Sequence, residues 1–126
     1  MTTKINYVET PKFQKDFKKL KKKFKSLPKD LKLAKKNAIE LCHLHQTDNQ
    51  SVFPIPDFCD QQVKIYKLKK FRCQTLKGKG VKSGIRLIYA FHSLQNKIVF
   101  IEIYFKGDKQ NENKQRIKQY LKSIKL

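Results

Sequence analysis

Acidic residues are scarce in this chain: 10 aspartates and glutamates stand against 30 lysines and arginines, and none of the 10 falls between Gln61 and Arg86. No apolar run approaches the roughly 20 residues of a spanning helix, so a membrane is not an expected partner. The start, Met1-Thr-Thr-Lys-Ile-Asn-Tyr7, lacks the apolar centre of a signal peptide. Cys42, Cys59 and Cys73 are odd in number and follow no paired metal-ligand spacing. They are expected to be thiols in a reducing cytoplasm, with neither a structural metal nor a cofactor to hold. A P-loop is also missing. Gly78 and Gly80 do not open the required spacing, and no Gly-Lys-Ser/Thr follows them.

What is present is charge on an apolar frame. The net charge is +20 and the pI about 10.0, which concentrates anions and speeds association with nucleic acid without specifying a fold. Hydrophobic residues make up 39% of the chain, enough to argue against disorder despite that charge. A length of 126 residues suits one domain over 1–126 with a sheet-plus-helix core.

The pattern predicts a short edge strand over Lys4 to Thr10, then a helix capped by Thr10 with Pro11 at its first position. Phe13, Phe17, Leu20 and Phe24 form that helix's apolar stripe opposite a nearly all-lysine face, including Lys18-Lys-Leu-Lys-Lys-Lys23. Ser26-Leu-Pro28 interrupts the pattern. A second amphipathic helix runs from Lys29 to about His45, marked by Leu31, Ala34, Ala38 and Leu41, where His43 and His45 complement the helix dipole. Thr47 to Gln62 reads as a loop in which Pro54 and Pro56 favour extended backbone.

Three strands follow: Val63 to Cys73, Gly84 to His92, and Lys97 to Lys106. The first two are joined by the basic stretch Leu76-Lys-Gly-Lys-Gly-Val-Lys-Ser-Gly84 and the last two by a turn at Ser93-Leu-Gln-Asn-Lys97. A closing helix from about Asn111 carries Ile117, Leu121 and Ile124 on one side. The expected order is β-α-α-β-β-β-α. That is an α+β fold: a small, mainly antiparallel sheet with helices packed on one face.

Alternation places Ile85, Leu87, Tyr89 and Phe91 toward the helices, and Arg86, Ile88, Ala90 and His92 on the opposite surface. In the third strand, Ile101, Ile103 and Phe105 are expected on one face and Phe100, Glu102, Tyr104 and Lys106 on the other. Lys67 and Lys69 share a face of the first strand. If these faces coincide, Lys67, Lys69, Arg86, Glu102, Tyr104 and Lys106 form one polar floor. Such a floor suits phosphodiester chemistry on RNA. The 2′-hydroxyl must lose a proton, the phosphate oxygens gain charge, and the leaving 5′-oxygen must be protonated. Lysine and arginine can stabilise that charge. The 2′-hydroxyl supplies both a nucleophile and the choice of RNA over DNA. Lys64, Lys70, Arg72, Lys77, Lys79, Lys82, His92 and Lys109 are candidates for RNA contact, setting affinity and salt dependence.

Tyr66-Lys-Leu-Lys69, Ser83-Gly-Ile-Arg-Leu-Ile-Tyr89 and Val99-Phe-Ile-Glu-Ile-Tyr-Phe-Lys106, in this order, resemble the core of the RelE/ParE superfamily of bacterial toxins, over about Tyr7 to Ile124. The resemblance implies the toxin of a type II toxin–antitoxin system. RelE-like members are metal-independent endoribonucleases, mRNA interferases that cut mRNA in the ribosomal A site. It therefore implies a cognate antitoxin, mRNA and the ribosome, at the 16S rRNA region of the A site, as partners. By position, Lys67 and Lys69 match the lysine pair of such toxins, and Arg86 matches the arginine that holds the scissile phosphate. Where these toxins usually carry a tyrosine, histidine or arginine after the last strand, this chain has Gly107-Asp-Lys-Gln-Asn-Glu-Asn113. Lys106, Lys109 and Tyr104 are the nearest substitutes for the general acid/base. Two alternatives remain: a ParE-like inhibitor of DNA gyrase, and a non-catalytic RNA- or ribosome-binding module on the same fold.

Overall fold

The computed structural model describes residues 4–45, 51–55, 58, 62–75 and 83–124. Strand β1 (Asn6–Glu9) leads into helix α1 (Pro11–Lys23). Helix α2 (Leu27–Ala34) runs through a π-helical segment, Lys35–Ile39, into α3 (Glu40–His43). Strands β2 (Val52–Pro54), β3 (Val63–Leu68), β4 (Ile85–His92) and β5 (Lys97–Phe105) follow, and α4 (Lys114–Ile124) closes the chain. The sheet order is β1-β5-β4-β3-β2. Among the described strands only β1 is parallel to its neighbour; the other pairings are antiparallel. This is the mixed, mainly antiparallel architecture expected from the sequence, with one strand more. Val52–Pro54 falls in the stretch read as loop. Proline is tolerated there because β2 is an edge strand with one side unpaired.

Local chemistry explains the main boundaries. The Thr10 hydroxyl accepts a hydrogen bond from the Phe13 amide at 3.2 Å and donates to the Phe100 carbonyl at 2.9 Å, so one side chain caps α1 and ties it to β5. The β4–β5 connection turns through a 3-10 segment, Ser93–Gln95, and closes on Asn96 at φ 46°. Asparagine is among the few residues that enter this left-handed region readily. At the start of β4, Gly84 has φ 85°, and its carbonyl accepts from the Lys106 amide at 2.8 Å. A side chain at this position would be strained.

Two apolar clusters sandwich the sheet. Phe13, Leu20, Leu27 and Ile39 of the first helical stretch pack with Leu68, Ile85, Leu87, Tyr89, Ile98, Phe100 and Ile103. On the opposite face Ile65, Ile88, Ala90, Val99 and Ile101 pack with Ile117 of α4. The closing helix thus lies across the sheet from the others instead of beside them. Ile88 and Ala90, read from alternation as part of an open surface, are fully buried beneath it. Polar floor remains only at the end of the sheet that α4 leaves uncovered.

A β-bulge corrects the assignment of faces in β5. Ile88 pairs with Glu102 but Tyr89 pairs with Phe100, so Ile101 is the extra residue. Phe100 and Ile103 therefore both face α1, while Ile101, Glu102 and Tyr104 share the other side. Simple alternation had grouped Phe100 with Glu102, and Ile101 with Ile103. A bulge breaks the period of two and re-aims every later side chain.

Candidate functional site

The β3–β4–β5 register brings the polar residues together. Lys67 sits opposite Ile88, which sits opposite Glu102, and Arg86 sits opposite Tyr104. At this end of the sheet a cavity of about 350 Å³ is lined by Lys67, Lys69, Arg86, Lys106, Gln110 and Asn111. Four of the six residues expected on the catalytic floor thus meet at one pocket. Gln110 and Asn111 were not anticipated, because they belong to a segment without periodicity.

Arg86 is positioned by backbone: its Nη1 donates to the Lys69 carbonyl at 2.7 Å. The other guanidinium nitrogens stay available, a fork suited to phosphate oxygens. Lys69 places its ammonium 4.8 Å from the centre of the Phe53 ring, so β2 helps to aim it. Among the described residues Lys69, Arg86 and Lys106 enter no salt bridge.

Lys67 is different. Its Nζ lies 2.9 Å from Glu112 Oε1, with side chains only 16% and 9% exposed. Burial works against the lysine charge, but the Glu112 hydrogen bond and the neighbouring Tyr104 phenol outweigh it and raise the Lys67 pKa. For Glu112, burial is likewise outweighed by Lys67, and the carboxyl is held below its ordinary range. Both partners are charged at neutral pH.

Glu102 and Tyr104 do not line this cavity: both are buried in β5, and Tyr104 borders another cavity with Asp16, Lys23 and Asp108. Glu102 is buried, and both of its oxygens are engaged: one by the Lys109 ammonium, the other by the Asn113 amide at 2.8 Å. That arrangement makes Glu102, buried as it is, an anchor for the segment after β5. Tyr104 lies below two ammonium groups, 5.9 Å from Lys67 Nζ and 5.4 Å from Lys109 Nζ to the ring centre. Its hydroxyl is buried with no hydrogen-bond partner among the described residues. Burial pushes this phenol's pKa up against the pull of Lys67, so it stays protonated at neutral pH. It is a donor lacking an acceptor.

The remaining RNA-contact candidates disperse. Lys64 is exposed near the far end of β3, opposite Phe91. Lys70 and Arg72 line a second cavity, of about 400 Å³, with Asp30, Asn37 and Gln74 beside α2. Lys109 holds Glu102, as above. His92 is at the opposite end of β4 from Arg86, buried, with Nε2 2.6 Å from the Tyr120 hydroxyl. Burial, with the Lys97 charge, lowers its pKa, so it acts as a neutral strut for α4 and not as a solvated cation. Lys77, Lys79 and Lys82 lie outside the described residues, as does Cys59. Cys42 and Cys73 carry thiols. Among the described residues no group of three His, Cys, Asp or Glu side chains is disposed to hold a metal ion. No described helix is long and apolar enough to cross a membrane.

His43 has surroundings that its helical position did not foretell. It ends α3 as expected, but its ring turns to the sheet, stacking on Phe91 at 4.3 Å with Nε2 2.7 Å from the Tyr89 hydroxyl. Burial lowers its pKa to about 4.

No protein-family model matches this chain, and no curated protein matches it. Among solved structures it is similar to the crystal structure of an archaeal RelE–RelB complex from Pyrococcus horikoshii OT3. That likeness has a TM-score of 0.53 at 9% identity, covering 83% of this chain and 98% of the other. The fold is therefore RelE-like, and at this identity the likeness speaks of fold alone.

Proposed function

We propose that this chain is a RelE-like toxin of a toxin–antitoxin pair, a single domain over 1–126. Its activity is endonucleolytic cleavage of mRNA on the ribosome. The observation that carries this reading is the convergence of Lys67, Lys69, Arg86 and Lys106 on one pocket of a RelE-like sheet, three of them without a carboxylate partner among the described residues. A cavity so lined is built for an anion. Its volume of about 350 Å³ accommodates a phosphodiester with part of its flanking sugar.

The chemistry follows from charge. Attack of the 2′-oxygen on the adjacent phosphorus loads negative charge onto the phosphate oxygens, and fixed cations in a partly enclosed site favour that state over the ground state. Arg86, steadied by the Lys69 carbonyl, spans two phosphate oxygens, with Lys69 and Lys106 on either side. The P–O5′ bond then breaks, leaving a 2′,3′-cyclic phosphate and a 5′-hydroxyl. A small acidic antitoxin, with apolar groups for the sheet, is the partner that would cover this basic face, and the cytoplasm is where both would act.

The test is induced expression of the wild type and of Arg86→Ala, with primer extension on a translated reporter mRNA. Cuts within codons that require translation and vanish in the variant are expected. Growth arrest with intact mRNA would reject the nuclease reading in favour of a gyrase-type target. Neither arrest nor cleavage would leave an RNA-binding module.

A further inference from the structure

The segment after β5 is built as a strap. Both attachment points are on one buried carboxylate: Glu102 binds the Lys109 ammonium at one end and the Asn113 amide at the other. Between them, Gln110 and Asn111 line the pocket, and Glu112 is delivered onto Lys67 at 2.9 Å. Burying a carboxylate is costly unless it is paired and hydrogen-bonded, and both partners of Glu102 come from this segment, which fixes its course. What the strap positions is a carboxylate on Lys67, one of the cations that line the anion pocket. A simple anion-binding site has no use for such a group, because it neutralises one of the cations.

We infer that Glu112 is the general base of the cleavage reaction, the group that takes the 2′-hydroxyl proton. This rests on the proposed nuclease reading and deepens it. An ammonium has three N–H donors. Lys67 spends one on Glu112 and turns the others to a phosphate oxygen. The 2′-hydroxyl beside that phosphate is then within a hydrogen bond of the same carboxylate. As the 2′-oxygen bonds to phosphorus, its proton passes to Glu112. The 5′-oxygen leaves with a proton from a lysine ammonium of the pocket, and water returns the proton from Glu112 to that lysine. Loss of the Glu112 charge leaves Lys67 wholly to the phosphate as negative charge peaks there. Glu102 is a positioning residue: it never meets substrate, but sets where Glu112 stands.

The test uses single-turnover cleavage of a defined A-site codon on programmed ribosomes, beside binding of the same mRNA carrying a 2′-deoxy nucleotide at the cut. Glu112→Gln is expected to cleave roughly 100-fold more slowly or worse, while binding the deoxy mRNA as the wild type does. The wild-type rate should be flat from pH 6 to 8, where a base with a depressed pKa is already ionised. The variant's rate should climb by about tenfold per pH unit as hydroxide substitutes. Glu112→Asp should recover part of the rate. A Glu112→Gln protein that cleaves as fast as the wild type, or faster, would overturn the inference; the faster outcome would make the carboxylate a plug on Lys67. Loss of binding together with cleavage would also overturn it. A wild type that never cleaves fails the nuclease reading itself, which separates the two.

Discussion

At the scale of single residues, the carboxylates and imidazoles are informative because they are so few. Glu102→Ala removes the acceptor for Lys109 and for the Asn113 amide. Lys109 is 40% exposed and can turn to water, so the cost is that of an orphaned amide plus a lost ion pair, about 1–3 kcal/mol. Urea unfolding measures it, and faster hydrogen exchange at Asn113 would localise it to the strap. His43 offers a pH test. Its folded pKa, about 4, lies below the ordinary 6.5. The unfolded chain therefore binds a proton that the folded chain refuses, and stability is lost as pH falls from above 6.5 toward 4. The loss from this group between pH 7 and pH 5 is roughly 2 kcal/mol. His43→Gln keeps an acceptor for the Tyr89 hydroxyl but cannot titrate. Its unfolding midpoint should fall less than that of the wild type over this range.

At the scale of elements, α1 and α4 hold opposite faces of the sheet, each through few contacts of high value. Thr10→Ala loses both the cap on Phe13 and the tie to the Phe100 carbonyl. The expected destabilisation is about 1–2 kcal/mol in thermal or urea unfolding. On the other face, Ile117 is fully buried among Ile65, Ile88 and Ala90. Ile117→Ala should cost about 2–4 kcal/mol and expose this face to a hydrophobic dye before global unfolding. A dye response that coincides with global unfolding would show that α4 and the sheet melt as one unit. Part of this was legible in sequence. Thr10-Pro11 announced the start of α1, and the stripe of Phe13, Phe17 and Leu20 gave its buried side. The face chosen by α4 was not legible, because an amphipathic helix states that it packs but not against which side of a sheet buried on both.

For the whole molecule, charge is the governing fact. The described carboxylates Asp16, Glu102, Asp108 and Glu112 are tied to Arg116, Lys109, Lys23 and Lys67. Asp30 accepts from Ser26 and the Gln74 amide, and Glu40 accepts from Tyr7. Acids used inside the fold leave the outer lysines uncompensated, so binding to RNA should weaken steeply as salt rises. Replacing Lys77, Lys79 and Lys82 together by Gln should lower the slope of log affinity against log salt by roughly two, if each meets a phosphate of a single strand. The maximal single-turnover cleavage rate at saturating RNA should be unchanged. An unaltered slope would place these lysines away from RNA.

Composition, charge, the strand carrying Arg86 and the mixed fold were determined by the sequence alone, because they depend on local periodicity and simple counting. Arg86 was readable from Gly84 onward because apolar residues alternate cleanly with it along β4. Other features were decided only in three dimensions. The bulge at Ile101 lies in an unbroken apolar run, where every register satisfies the pattern equally and only pairing with Ile88 and Tyr89 selects one. His92 reads as a surface residue until Tyr120 closes over it. Glu112 meets Lys67 across 45 residues of chain, through a segment with no period to read. Contacts between distant residues arise from how elements pack, and local sequence carries no record of that packing.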